Sequence, residues 1–256
     1  MINIGKQTLK RCKYGWMLYS PGSPYIGKCF DFYGQYSESE VEIFKQYIGE
    51  GSAALDIGAN IGSLTVPMAL LCGQSGSVHA MESHIENYYT LCTNLSLNGL
   101  YNTKAINAFV SDSQGDQPTG SVWGSFLSNK WGASALAVDQ LGLERCDFMK
   151  IDVDGGELNV LRSAETTIRK LRPVIYIEND QRERSAPLIE HLFGLDYHLY
   201  WHMAPIVGQD NYFGRNENLW HPQNICSLMM LCVPRERDQA GITLRRVQTA
   251  QEWFDL

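Results

Sequence analysis

Acidic side chains recur at the ends of short apolar runs in this chain, each beside glycine or a small polar residue. Ala53-Ala54-Leu55-Asp56-Ile57 passes into Gly58-Ala59-Asn60-Ile61-Gly62, Ser77 to Met81 ends on Glu82-Ser83, and Ala105 to Val110 is followed by Ser111-Asp112. Phe148 to Val153 contains Asp152 and leads into Asp154-Gly155-Gly156-Glu157, Val174 to Ile177 ends on Glu178, and a later apolar run closes on Trp201-His202. Glycine lets backbone approach a ligand closely, and the start of a following helix offers unpaired amides. A carboxylate at the position of Glu82 can accept hydrogen bonds from both hydroxyls of a ribose. It stands 26 residues after Asp56, somewhat beyond the roughly 20 of the ribose-binding acid in dinucleotide folds. Ser111 and Asp112 follow the third run, within reach of an adenine amino group.

These ends together point to a nucleoside site. An acid at the first turn disfavours a diphosphate there, which favours S-adenosylmethionine, a phosphate-free sulfonium, over NAD. The alternative of an NAD-dependent oxidoreductase meets a further obstacle, because Asn60 occupies the middle position of the Gly-x-Gly-x-x-Gly fingerprint. A non-catalytic nucleoside-binding module stays open as a third reading. For methyl transfer to a hydroxyl, the candidates to take the proton are Asp152, Asp154, Glu157, Glu178 and His202. Each also has a structural reading. Glu157 suits a helix start, Asp154-Gly155 suits a turn, Asp152 suits the orientation of a cofactor amino group, and His202 suits a hydrogen-bonded core position. Asp152, Asp154 and Glu178 offer oxygen ligands that would suit magnesium, but their spacing matches no established metal motif, and no metal is expected.

The elements that must position these residues alternate between strand and helix. Apolar residues recur at helical spacing in Val41, Phe44 and Ile48, in Ile61, Leu64, Met68 and Leu71, in Ile85, Tyr88, Cys92 and Leu95, and in Leu158, Leu161, Ala164, Ile168 and Leu171. Ser37 and Glu40 fit a capping box at the start of the first of these. Pro67 is tolerable only in a first helical turn, so its helix starts near Ser63. Strands are expected at 53–57, 77–82, 105–110, 148–153, 174–178, 196–202 and 227–233. Such alternation implies a mostly parallel sheet covered on both faces, with its ligand beyond the carboxyl ends of the strands. Residues 1–36, rich in Tyr, Gly and Pro and without a clear period, read as an N-terminal extension or cap, and 37–256 as the main domain. Two long polar stretches, 111–133 and 203–226, hold Trp123, Trp131, Tyr212, Phe213 and Trp220. These could stack on the flat face of an acceptor or simply pack.

Composition narrows the partners. The 256 residues carry 21 Lys+Arg against 28 Asp+Glu, a net charge of −7 with no long basic run, so no nucleic acid is expected to be gripped. The seven cysteines are odd in number and include no Cys-x-x-Cys, which suggests reduced, mostly buried thiols and a cytoplasmic location. No signal-peptide pattern and no apolar run near ~18 residues occurs, so no membrane span is expected. The oligomeric state is not readable.

Four strings carry a resemblance. Leu55-Asp56-Ile57-Gly58-Ala59-Asn60-Ile61-Gly62, Ala80-Met81-Glu82, Asn94-Leu95-Ser96-Leu97-Asn98-Gly99, and Phe148-Met149-Lys150-Ile151-Asp152-Val153-Asp154-Gly155-Gly156-Glu157 resemble the FkbM-type methyltransferases from about Tyr36 to Val233. The last string is the most specific. Asn211-Tyr212-Phe213 and Asn216-Glu217-Asn218 look like a subgroup of that family. Ser83 stands where the family usually has proline, and Gly156 where alanine is common. The resemblance implies the seven-stranded, Rossmann-like class I methyltransferase sheet with its last strand antiparallel. It also implies methyl transfer from S-adenosylmethionine, usually to oxygen and with N-methylation still open, on a small-molecule or glycan acceptor. By position it places Asp56, Gly58 and Asn60 at the cofactor's methionine end, Glu82 at the ribose and Asp112 at the adenine.

Overall fold

A computed structural model describes residues 1–112, 133–208, 210–238 and 241–254. The chain opens with three short antiparallel strands, β1 (Ile2–Ile4), β2 (Gln7–Cys12) and β3 (Gly15–Tyr19), followed by helix α1 (Ile26–Phe32). This segment shows no period in sequence because its strands are short and its faces are unevenly buried.

Helix α2 (Glu38–Tyr47) leads into the alternating part: β4 (Ala53–Ile57), α3 (Thr65–Cys72), β5 (Ser77–Glu82), α4 (Ile85–Leu97), β6 (Thr103–Val110), β7 (Ser134–Leu136), β8 (Phe148–Ile151), α5 (Glu157–Ser163), α6 (Glu165–Leu171), β9 (Val174–Glu178), α7 (Arg182–Gly194), β10 (Tyr197–Pro205), β11 (Cys226–Pro234) and β12 (Arg245–Arg246). The sheet order is β12-β10-β11-β9-β8-β4-β5-β6-β7. Strands β6, β5, β4, β8 and β9 pair in parallel, and β11 inserts antiparallel between β9 and β10. The seven expected strands are all present, with the seventh reversed. Two short strands, β7 and β12, extend the sheet to nine at its edges.

Alternation along each central strand builds two cores. Ala54, Phe148 and Tyr176 face α2 and α3, with Phe44 of α2 set edge-on against Phe148 and Tyr176 at 5.3 and 5.7 Å. Leu55, Ile57, Met149, Ile151, Ile175 and Ile177 face α5, α6 and α7. Both faces are apolar because helices cover both.

Three local expectations change in detail. Ser37 takes a left-handed conformation (φ 45°), and its hydroxyl donates to Glu40 Oε1 at 2.6 Å. The amide that a reciprocal capping box would satisfy is already bonded, Ser37 N–H to Ile206 O at 3.0 Å, so the two side chains pair with each other instead. Pro67 is the third residue of α3 and lies within its first turn. The fourth strand stops at Ile151, since Asp154 and Gly155 turn the chain with positive φ (53° and 97°). All seven cysteines are unpaired thiols and five are buried. Among the described residues, no helix is long and apolar enough to cross a membrane.

Candidate active site

From β4 the chain winds outward through β5 to β6 and then returns to β8 on the other side, so connections part above the ends of β4 and β8. A cavity of about 960 Å³ opens there, within the size range of small-molecule sites.

The first wall is the glycine turn. Gly58 and Ala59 N–H both donate to Met81 O, at 3.0 and 2.9 Å. Gly58 has φ +84°, and a Cβ there would lie 1.7 Å from Asp152 O, so β8 admits no side chain at this position. The clamped turn presents Asn60 N–H to Glu82 Oε2 at 2.8 Å, while Glu82 Oε1 accepts His84 N–H at 2.7 Å. Glu82 is thus held by one amide on each oxygen and keeps lone pairs on both for two further donors. Burial pushes its carboxyl pKa up, and the two amide bonds pull it down. Ser83 lines the cavity beside it, and Asn107 Nδ2 donates to Glu82 O at 2.8 Å, fixing the end of β5.

Asp56 is fully buried below this turn and is not a wall residue. Its Oδ2 accepts Thr65 Oγ1 at 2.6 Å, and its Oδ1 lies 3.4 Å from Lys150 Nζ. Lys150 is also buried, reaches the cavity wall and lies 3.2 Å from Asp152 Oδ2. Burial alone would lower the Lys150 pKa, but Asp152, Asp56 and Glu40 together hold it above the ordinary range. In Glu40 of α2, burial pushes the carboxyl up to about 7 despite the pull of Lys150 and Ser37.

The opposite wall is acidic. Asp152, Asp154, Glu178 and Asp180 all line it. Glu178 Oε2 is enclosed without a hydrogen-bond partner. Burial, then Asp152, Asp180, Glu157 and Asp154, push the Glu178 carboxyl up to about 10. Glu157 stands behind this wall, its Oε1 accepting Gly155 N–H at 2.8 Å, which is the helix-start role. Among the described residues, no group of three His, Cys, Asp or Glu is arranged to hold a metal.

Other expected residues lie elsewhere. His202 is not in the wall; its Nδ1 pairs with Tyr176 Oη at 2.7 Å, and burial lowers its pKa, as befits a neutral core histidine. Ser111 and Asp112 fall just past the wall, which is formed at that point by Ala108, Phe109 and Val110. The cause is that β6 continues into pairing with β7, and Ser111 N–H is bonded to Leu136 O at 3.1 Å.

The outer end of the cavity is covered by Tyr25, Ile26 and Tyr36 from the N-terminal segment and by Ile206, Ile225 and Cys226 from the β10–β11 region. Of the aromatics expected to stack on an acceptor, Trp123 and Trp131 lie outside the described residues. Phe213 and Trp220 pack against the N-terminal segment instead, Phe213 under Lys10 at 4.3 Å and Trp220 stacked on Tyr33 at 6.4 Å, while Tyr212 is exposed with its ring against Phe213. Tyr25 and Tyr36 are the aromatic residues of the outer wall, and no sequence signal marked them. Lys150 did leave a signal, a lysine inside an apolar strand, where such a residue is rarely buried unless paired.

The profile described as the methyltransferase FkbM domain matches residues 56–199. No curated protein matches the chain. Among solved structures, the precorrin-6y C5,15-methyltransferase of Geobacter metallireducens is 15% identical, with TM-score 0.52, over 77% of this chain and 87% of that one. A provisionally assigned transferase of Pyrococcus horikoshii is 11% identical, with TM-score 0.53, over 91% and 74%. A provisionally assigned rRNA methylase of Clostridium thermocellum is 11% identical, with TM-score 0.50, over 84% and 97%. At these identities the likeness is one of fold.

Proposed function

The chain belongs to the FkbM methyltransferase family, and from that premise we propose that its cavity binds S-adenosylmethionine and directs methyl transfer to a hydroxyl of a small acceptor such as a glycan, a lipid-linked sugar or a secondary metabolite. The observation that carries this reading is Glu82, held at the cavity wall by Asn60 and His84 amides with lone pairs left on both oxygens. That is the acceptor set for the two hydroxyls of a ribose. The acids beside it suit a cation, and Lys150 is committed to two carboxylates instead of standing ready for a diphosphate. The residues present therefore fit the group.

When bound, S-adenosylmethionine supplies an electrophilic methyl on a sulfonium whose leaving thioether is neutral and needs no acid. Gly58 and Asn60 shape the turn beneath the methionine end. Met81, Phe109 and Val110 give the apolar wall for a base, and Asp152 orients an amino group. Glu178 is the proton acceptor: in its ionised form it would take the proton of the hydroxyl, and burial with four neighbouring acids makes that carboxylate strongly basic. Alignment of acceptor and donor contributes up to ~7–11 kcal/mol, and the base adds ~10²–10⁴ in rate. Residues 1–36 act as a cap over the acceptor end.

Calorimetry with S-adenosylmethionine and S-adenosylhomocysteine tests the reading. Binding of both is expected, with Glu82→Ala weakening it by about tenfold or more through loss of a charged hydrogen-bond acceptor. No heat from either ligand would sink the proposal.

A further inference from the structure

Across one face of the central sheet, three adjoining parallel strands carry polar side chains at a single level. Asp56 of β4 is the register partner of Lys150 of β8, and Lys150 that of Tyr176 of β9. Two places back on the same face, Ala54, Phe148 and Val174 belong to the apolar core. The Lys150 side chain is 2% exposed, and its ammonium bridges two carboxylates of opposite character. Asp56 is closed: it is 1% exposed and its other oxygen is taken by Thr65. Asp152, two residues beyond Lys150, is open: its side chain is 36% exposed, and it lines the cavity.

Stability does not account for this arrangement. A buried ion pair commonly breaks even against apolar residues of the same volume, while removal of one partner is costly. A carboxylate on an open strand end, by contrast, is free to rotate unless something holds it. The chain Thr65–Asp56–Lys150–Asp152, one hydrogen bond followed by two ion pairs, runs from the fixed interior to that open end, so each contact restricts the next.

We propose that Lys150 is a positioning residue of the donor site: anchored on Asp56, it holds the Asp152 carboxylate by one oxygen in a single orientation, leaving the other oxygen to receive the positively charged amino group of the donor. This rests on the donor-site reading above and adds to it the group that fixes the orienting acid.

The test is a double-mutant cycle on the full chain, read by calorimetry with S-adenosylhomocysteine. Lys150→Met and Asp152→Asn are each expected to weaken binding about 30-fold, and the double variant to bind no more weakly than either single one. Effects that multiply to about 1000-fold, or an unchanged affinity in Lys150→Met, overturn the proposal. If Lys150→Met does not fold, the signal is read in the unmodified lysine, the one buried lysine side chain among the described residues. Its ammonium nitrogen resonance, protected from solvent exchange, is expected to shift in Asp152→Asn and on adding S-adenosylhomocysteine; a resonance that ignores both refutes the assignment. A wild-type protein that binds no S-adenosylhomocysteine removes the donor-site reading and this proposal together, whereas normal wild-type binding with an unaffected Lys150→Met removes this proposal alone.

Discussion

Glu178, the proposed proton acceptor, is the acid of the cavity wall whose carboxyl is pushed up furthest. Its pKa in the fold is raised from 4.5 to about 10, by burial first and then by four neighbouring acids. Between those two values the folded protein keeps a proton that the unfolded chain releases. Stability linked to this group is therefore greatest below about pH 4.5 and is lost as pH rises towards 10, with a slope of at most ~1.4 kcal/mol per pH unit. Glu178→Gln keeps the shape and cannot ionise. Its thermal midpoint relative to wild type is expected to rise between pH 6 and pH 8 by several degrees; an equal difference at both pH values would refute the assignment. The sequence marks Glu178 only as an acid at a strand end. The shift depends on burial first, and then on Asp152 and Asp154 of the β8–α5 connection and Glu157 at the start of α5 meeting Asp180 beyond β9, and that convergence is a property of the fold. His202 makes the converse case, since its bond to Tyr176 across the sheet withdraws it from the cavity.

At the scale of elements, helix α4 shows how a sequence string acquires a purpose. Asn94 accepts Leu18 N–H at 2.7 Å and donates to Leu18 O at 3.1 Å, and Asn98 does the same for Trp16 at 2.8 and 2.7 Å. Residues four apart on a helix rise about 6 Å, and residues two apart on a strand about 6.6 Å. Two side-chain amides thus act as a fourth strand for the free edge of β3. Asn94 also donates to Ile61 O at 2.8 Å, which ties the glycine turn to the same helix. Asn94→Ala leaves these backbone groups unpaired and should cost about 1–3 kcal/mol. The expected result is a lower thermal midpoint with faster amide exchange at Leu18; unaltered exchange there would contradict the role given to the side chain.

For the molecule as a whole, the N-terminal segment and the β10–β11 connection form one cover over the sheet. Tyr33 Oη accepts Leu219 N–H at 2.9 Å and donates to Glu217 O at 2.8 Å, and Gln35 bonds Asp210 O and Tyr212 N–H at 3.2 and 3.0 Å. In Tyr33→Phe both bonds of the hydroxyl are lost. Faster amide exchange across 217–220 is expected, with S-adenosylhomocysteine affinity unchanged, because the donor end is built from β4, β5 and β8. A fall in that affinity would show that the cover reaches the donor as well as the acceptor.

The sequence by itself determined the strand–helix alternation, the reversed seventh strand through its family strings, and the glycine turn with Glu82, because these depend on local periodicity and on residues close in the chain. Tertiary structure alone decided that Asp56 lies under the floor, that Lys150 joins it to Asp152, and that Tyr25 and Tyr36 line the outer wall. Those outcomes rest on sheet register and on contacts between segments far apart in the chain, and no short string of residues encodes a distance between strands.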